Sequence, residues 1–546
     1  MARLKGVERA PLLGLLLPLA AGASLVQPLG LAPFWPTLAI AIAGLAVAFR
    51  LRSSASDAAW QAAFMTGMAA VGWLYASLAL QQAQRRPGLP KREANVVLQV
   101  ERLFTPSLDQ ARAARGLGRL VATEPHLRDL RGIKVLFSVY ADTLPRLPAI
   151  GERVRGRGEL VPLADAPELG SFEAYLRFQR ASFRLERMRA RALEPAASPY
   201  YRFIQVSQTW IRQSLQRGLD EESPYTNAYL GMLLGRSNEL DKQQKTLFLR
   251  SGVMHVFAIS GLHIGVIAVC VTALLQLARV PAPWRPAAGL PVVALFVVAT
   301  GGAPSAWRAL LMIACYHLCQ AARRQPAPFN ALALSALAWL LADPLQLYHP
   351  GFQLSYAAVA SILLYGLPLA ERLNAPSRKT PPLPSELIGW RLKALRATRR
   401  SLLGTFSISL AAFLGTSLLG VAYFEVLPLW GVLLNMIALP LASLAVVAGF
   451  VSLLLSLLHL PWLPELFNHA AALILAVIQA GLETVAASPR ATLAFEAPAV
   501  SFLLLAAAAF LPLLAAGRLL GWGRRGRLLW LPPAAIAAAH ALHAAL

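Results

Sequence analysis

The chain has 546 residues, 57% of them hydrophobic and only 14% charged, and carries a formal charge of +24. That composition excludes an ordinary soluble globular protein. Recurrent apolar runs of membrane-spanning length predict a polytopic α-helical membrane protein, not a secreted one with a signal peptide. The basic excess, 51 Lys and Arg against 27 Asp and Glu, belongs partly to cytoplasmic loops and otherwise favours lipid headgroups or nucleic acid as partner. The three cysteines, Cys270, Cys315 and Cys319, lie in apolar runs and read as small buried hydrophobes. No metal site and no cofactor is expected.

Residues 1–84 hold three apolar segments, near 10–30, 34–49 and 58–80. Arg3, Lys5 and Arg9 precede the first, which places the N-terminus in the cytoplasm and sends the third span outward. Residues 85–170 change character. Alternation over Ala94–Phe104, Gly132–Ala141 and Gly151–Leu163 predicts half-buried strands and a small extracytoplasmic β-domain. Between 85 and 202 there are 22 Lys and Arg against 13 Asp and Glu. Arg153, Arg155 and Arg157 recur at period two and share one strand face, which suits a phosphate track and a solvated barrel face equally. Stacking aromatics are few, with Phe137 and Tyr140 the main candidates. In 171–250, Arg177, Arg180, Arg184, Arg187 and Arg191 recur at three-and-four spacing. This predicts a basic amphipathic helix on a membrane surface, with contact to a passing polyanion as the alternative. Residues 203–250 read as a second amphipathic, partly polar helical region.

Residues 251–546 give ten further spans from 252 onward, about thirteen in all by length and apolarity. Alternating direction puts Arg279, Arg285, Arg323, Arg324 and a basic 374–400 loop in the cytoplasm, as the positive-inside rule requires. That loop reads as a headgroup-binding segment, with a docking site for a partner as the alternative. The span expected over 252–278 carries His255, Ser260, Gly261, His263 and Gly265, which marks either a pathway or a GxxxG helix contact. Further on, Pro304 and Ser305 open a helix whose free N–H groups attract anions, and Arg308 follows one turn later. Arg308 reads either as a phosphate contact or as the partner of Asp343. With Gln353, Ser355, Glu425 and Asn435, these polar residues fall at the outer end of the spans and predict a vestibule open to the extracytoplasmic side.

Several ordered motifs then agree. Gly231-Met-Leu-Leu-Gly-Arg-Ser237, the 251–265 stretch, Gly302-Ala-Pro-Ser-Ala-Trp-Arg308, Asn330-Ala-Leu-Ala and Asp343-Pro344 occur in sequence, followed by Pro350-Gly-Phe-Gln-Leu-Ser-Tyr356 and Leu433-Leu-Asn-Met-Ile-Ala-Leu-Pro-Leu441. Over roughly residues 225–460 the chain resembles the ComEC-type competence family, the inner-membrane channel of bacterial DNA uptake. The resemblance implies an OB-like barrel, a fold often used to grip single strands, with Ser171–Arg180 as the linker after it. It also implies passage of single-stranded DNA into the cytoplasm during natural transformation, among membrane lipids. Implied partners are an outside DNA receptor, a separate nuclease, and a cytoplasmic helicase-like ATPase or single-strand-binding proteins. Many relatives carry a metallo-β-lactamase-like domain with a His-x-His-x-Asp-His cluster, and this sequence has none, so strand degradation is expected of another polypeptide. No phosphate loop is present either, so ATP-driven transport needs a partner.

The alternative is a transporter or flippase for another anionic polymer or lipid. A hydrolase using His255 or His263 as general base is disfavoured because no nucleophile or metal set accompanies them, and the chain is not expected to be an enzyme.

Overall fold

The computed structural model describes residues 11–51, 57–84, 89–104, 113–140, 146–163, 171–196, 198–236, 239–325, 327–375, 389–458, 462–486, 488, 491–495, 500–519 and 529–545. Arg3, Lys5, Arg9 and residues 376–388 of the expected basic loop lie outside them.

The first apolar segment is α1 (Pro11–Ser24) and a short α2 (Val26–Leu29), followed by α3 (Phe34–Leu51) and α4 (Asp57–Gln84). Small residues let these helices touch backbone to backbone. A Cβ on Gly22 would lie 1.8 Å from Ala69 O, and one on Gly72 would lie 2.1 Å from Leu19 O.

A closed five-stranded barrel follows, OB-like in order, β1-β2-β3-β5-β4. Its strands are β1 (Arg92–Phe104), β2 (Ala113–Thr123), β3 (Lys134–Tyr140), β4 (Arg153–Pro162) and β5 (Ala181–Glu194), with α5 (Phe172–Phe178) before β5. Pairing is antiparallel except between β3 and β5. Alternating Leu98, Val100, Val135, Phe137, Val139, Val154 and Leu185 fill the interior. On the outside, Glu101 of β1 bridges Arg119 Nε of β2 at 2.7 Å and Lys134 Nζ of β3 at 3.1 Å. Burial alone would raise the Glu101 carboxyl, but Lys134 and Arg119 outweigh it and hold the carboxyl below its ordinary value. A depressed carboxyl adds stability above its unfolded value of about 4.3, and that stability is lost as pH falls through the lower folded value. Acid titration of barrel unfolding is therefore expected to lose part of its low-pH limb in Glu101→Gln; an unchanged limb would contradict this.

Two expectations for 171–250 are corrected here. The arginine stripe is not a helix beyond Phe178, because 181–194 is the fifth strand. Arg187 sits at φ 50 in a bulge, where β4 and β5 slip register between the Arg157 and Glu159 pairings. The inserted residue sets the inward Leu185 and Met188 three residues apart instead of two, and that spacing imitates a helix. Nor is 203–250 uniformly amphipathic. In α6 (Pro199–Gln216) one face is buried, but α7 (Pro224–Leu234) is buried from Ala228 to Leu234, and the short α8 (Lys242–Arg250) follows.

The remaining helices are α9 (Gly261–Leu277), α10 (Arg285–Ala299), α11 (Pro304–Ala321), α12 (Pro328–Ala342) and α13 (Pro350–Ser361). α13 runs through one π-helical turn into α14 (Leu367–Leu373), and α15 (Trp390–Phe424), α16 (Gly431–Leu457), α17 (Leu463–Ala486), α18 (Val500–Leu519) and α19 (Leu531–Ala545) follow. A two-stranded ladder, β6 (Val426–Pro428) with β7 (Thr492–Ala494), joins the α15–α16 turn to the chain after α17. Every expected apolar segment contains a helix. Among the described residues, nine helical stretches are long and apolar enough to span a membrane; α9 and α12 are shorter apolar helices.

One buried side chain ties four of these helices. Asn468 of α17 accepts from Tyr229 OH at 3.2 Å and Ser452 Oγ at 2.7 Å, and donates to the carbonyls of Ser214 and Arg217 at 2.9 and 3.0 Å. Tyr229, Ser452 and Asn468 are all fully buried.

Candidate functional site

The 251–265 stretch forms a bend and then a helix, which corrects the expectation of one span beginning at 252. A 3₁₀ turn covers Met254–Phe257, and α9 begins at Gly261. Ser260 is therefore an N-cap and not a mid-span residue. Its backbone N–H donates to His263 Nδ1 at 3.3 Å, and its Oγ lies 2.8 Å from the same nitrogen. A ring nitrogen that accepts a backbone N–H carries no proton, so the neutral ring holds its proton on Nε2. That Nε2 is buried and has no partner among the described residues. Ser260→Ala removes the Oγ side of the cap, keeps the backbone bond to His263, and is expected to cost about 1 kcal/mol, read as a lower melting temperature in detergent. His255 precedes the helix, exposed, with Nδ1 3.2 Å from Gly252 O.

The glycine pair does not seat another helix. A Cβ on Gly261 would touch only Ala309 Cβ, at 3.8 Å, and one on Gly265 would meet nothing within 4 Å. The start of α11 is instead held by Ser305, whose Oγ donates to Ile259 O, while Pro304 fills the first helical position.

One turn into α11, Arg308 is 3% exposed. Its Nη2 donates to Gly351 O at 2.9 Å and its Nε to Ser355 Oγ at 3.3 Å, with the guanidinium 5.7 Å from the Tyr356 ring centroid. The expected pairing with Asp343 does not form. Asp343 ends α12, accepts from Leu345 N, and pairs with Arg180 at 2.8 Å. Arg180 stands at φ 62 between α5 and β5, so the bridge joins barrel to helices. Among the described residues Arg308 thus meets only neutral partners, a carbonyl, a hydroxyl and a ring face. Buried charges are normally neutralised by an opposite charge, and this one keeps its positive field.

The barrel docks beside it. Arg102 Nη1 donates to Tyr175 OH at 3.0 Å, and the Tyr175 ring meets His349 edge-on at 5.5 Å. His349 Nδ1 accepts from Gly351 N at 3.0 Å, and Gly351 O holds Arg308. Phe178 stacks on Tyr348 at 4.4 Å. Sequence reasoning missed this junction, although the aromatics of 172–178 and the Tyr348-His349-Pro350 run were its visible signal.

Ser260, Gly261, His263, Ser305, Arg308 and Ser355 therefore gather where α9, α11 and α13 begin. Gln353 extends the group to α15, accepting from Tyr423 OH at 2.7 Å. Asp343 turns to the barrel, and Glu425 is exposed at φ 61 where α15 ends. Asn435 Oδ1 is buried without a partner among the described residues. On β4, Arg155 and Arg157 project outward as expected, but Arg155 pairs with Glu194 at 2.7 Å and Arg157 with Glu93. Arg153 is only half-buried beside them. Two of the three are thus already neutralised across the sheet.

Comparison with known proteins gives a consistent picture. Over 139 residues the chain is 30% identical to ComE operon protein 3 of Bacillus subtilis, covering 26% of this chain and 18% of that one. It is 25% identical over 225 residues to Recombination protein 2 of Haemophilus influenzae, covering 40% and 27%. It is also 25% identical over 185 residues to the uncharacterized protein YcaI of Escherichia coli, covering 33% and 23%. The matched stretches thus span under a third of each relative. No solved structure matches significantly. The family model described as competence protein matches residues 232–519, over half of the sequence and including every helix that builds the Arg308 site. The chain belongs to the competence protein family.

Proposed function

We propose that this chain is a channel of the bacterial cytoplasmic membrane that passes single-stranded DNA inward during natural transformation. Family membership supports a role in DNA uptake. The observation that carries the finer reading is the contact chain Arg102–Tyr175–His349–Gly351–Arg308, which sets the barrel beside a buried cation lacking a carboxylate partner. In this reading the barrel faces the outside, gathers the strand and hands it to the polar mouth around Ser260, His263 and Arg308. Neutral donors replace phosphate hydration there without holding the strand so tightly that it stalls. The open space beside Gly265 leaves room along α9. An outer receptor delivers DNA, a separate nuclease removes the other strand, and a cytoplasmic ATPase or single-strand-binding protein pulls; none of these tasks has machinery in the residues described above.

The test is a deletion strain given end-labelled duplex DNA, with surface-bound and nuclease-protected label counted separately. Protected label is expected to vanish while surface label stays, and to return on complementation. Unchanged protected label would favour transport of another anionic polymer or lipid.

A further inference from the structure

The turn between α10 and α11 contains Gly301 and Gly302, both in the left-handed region at φ 103 and 66. Three donors converge on it, two from α6 and one from α11. A Cβ on Gly301 would lie 3.0 Å from Gln208 Nε2, and one on Gly302 would lie 3.2 Å from Trp307 Nε1 and 3.4 Å from Tyr200 OH. Gln208 is 8% exposed, and its Oε1 accepts from Arg236 Nη2. That bond fixes the amide: the oxygen faces the guanidinium, so the NH2 faces the turn. Gln208 Nε2, Trp307 Nε1 and Tyr200 OH have no hydrogen-bond partner among the described residues. Idle donors on so buried a side chain call for an acceptor. Charge points the same way. Arg212 pairs with Glu239 near Arg236, so two guanidiniums share one carboxylate, and the first turn of α11 adds the positive end of its dipole. One turn before Gln208, Gln205 Nε2 donates to Ile150 O of the barrel at 2.8 Å. α6 thus links the barrel to the turn, and α11 carries Arg308 on from it.

We infer that this turn binds one phosphodiester of the passing single strand, an anionic oxygen accepting from Gln208 Nε2, Trp307 Nε1 and Tyr200 OH. The inference rests on the channel reading above and adds a subsite to it. Neutral donors beside a surplus of one positive charge suit a singly charged diester that must also leave.

The test uses the full chain in phosphatidylcholine nanodiscs and measures, by fluorescence anisotropy, binding of a labelled oligothymidylate and of its methylphosphonate analogue, whose backbone is uncharged. Gln208→Glu keeps the shape and a partner for Arg236 but replaces the NH2 with a carboxylate oxygen. Trp307→Phe keeps an aromatic ring and removes the N–H. Each is expected to weaken the phosphodiester strand about tenfold, the loss of roughly one charge-assisted contact, and to leave the weaker methylphosphonate binding unchanged. Wild-type affinity in either variant overturns the subsite and leaves the channel standing; no oligonucleotide binding by the wild type overturns both. Equal loss on the two backbones would make these residues stacking or structural groups and also overturns it. Disappearance of the difference between wild type and variants in phosphatidylglycerol nanodiscs would give the turn to a lipid headgroup instead. Melting temperatures equal to wild type show that both variants fold.

Discussion

Asn468→Leu is expected to destabilise the helical domain by about 4 kcal/mol, the sum of strandings that a mean of about 1 kcal/mol per buried hydrogen bond gives for four partners. The substitution fits in volume, so the loss comes from polarity. Tyr229 OH and the carbonyls of Ser214 and Arg217 would lose this partner, and Ser452 Oγ would keep only its 3.3 Å bond to Pro464 O. Tyr229→Phe removes one bond only and should cost about 1 kcal/mol. Thermal unfolding of the purified protein in detergent separates the two. Equal, small losses would show that Asn468 is not the tie between α6, α7, α16 and α17.

Arg308→Ala is expected to cut DNA internalisation at least about a hundredfold, equivalent to roughly 2.7 kcal/mol of lost interaction. It removes the one charge among the described residues that sits buried at the mouth of α9, α11 and α13 without a carboxylate. Arg308→Lys keeps the charge but lacks the planar fork that reaches Gly351 O and Ser355 Oγ together, so an intermediate loss is expected. Membrane insertion and melting temperature are measured alongside. Ser355→Ala keeps the guanidinium with its stronger bond to Gly351 and serves as a structural control. Full uptake by Arg308→Ala would remove Arg308 from the path.

Much of this architecture could be read in the sequence, because span-length apolar runs report directly on the cost of exposing backbone to lipid. Three of the five barrel strands were legible from alternation. β5 was not, since the Arg187 bulge breaks period two and leaves arginines at apparent helical spacing. The start of α9 was misplaced because Val253, Met254, Val256, Phe257, Ala258 and Ile259 continue the apolar run. There the boundary is set by the Ser260–His263 cap, which uses a ring nitrogen where a carboxylate or amide is usual. Asp343 was matched to the wrong arginine for a different reason. Its partner Arg180 lies 163 residues away in another domain, and tertiary docking of that kind leaves no local pattern.

The central claim is that the strand passes beside α9 and α11, and photo-cross-linking during uptake tests it most directly. A cross-linking side chain placed at Gly265, where a Cβ meets nothing within 4 Å, or at Ser305 should capture labelled single-stranded DNA; one at Leu444, 57% exposed on the apolar face of α16, should not. Label captured at Leu444 as readily as at the other two, or at none of the three while uptake proceeds, would contradict the account.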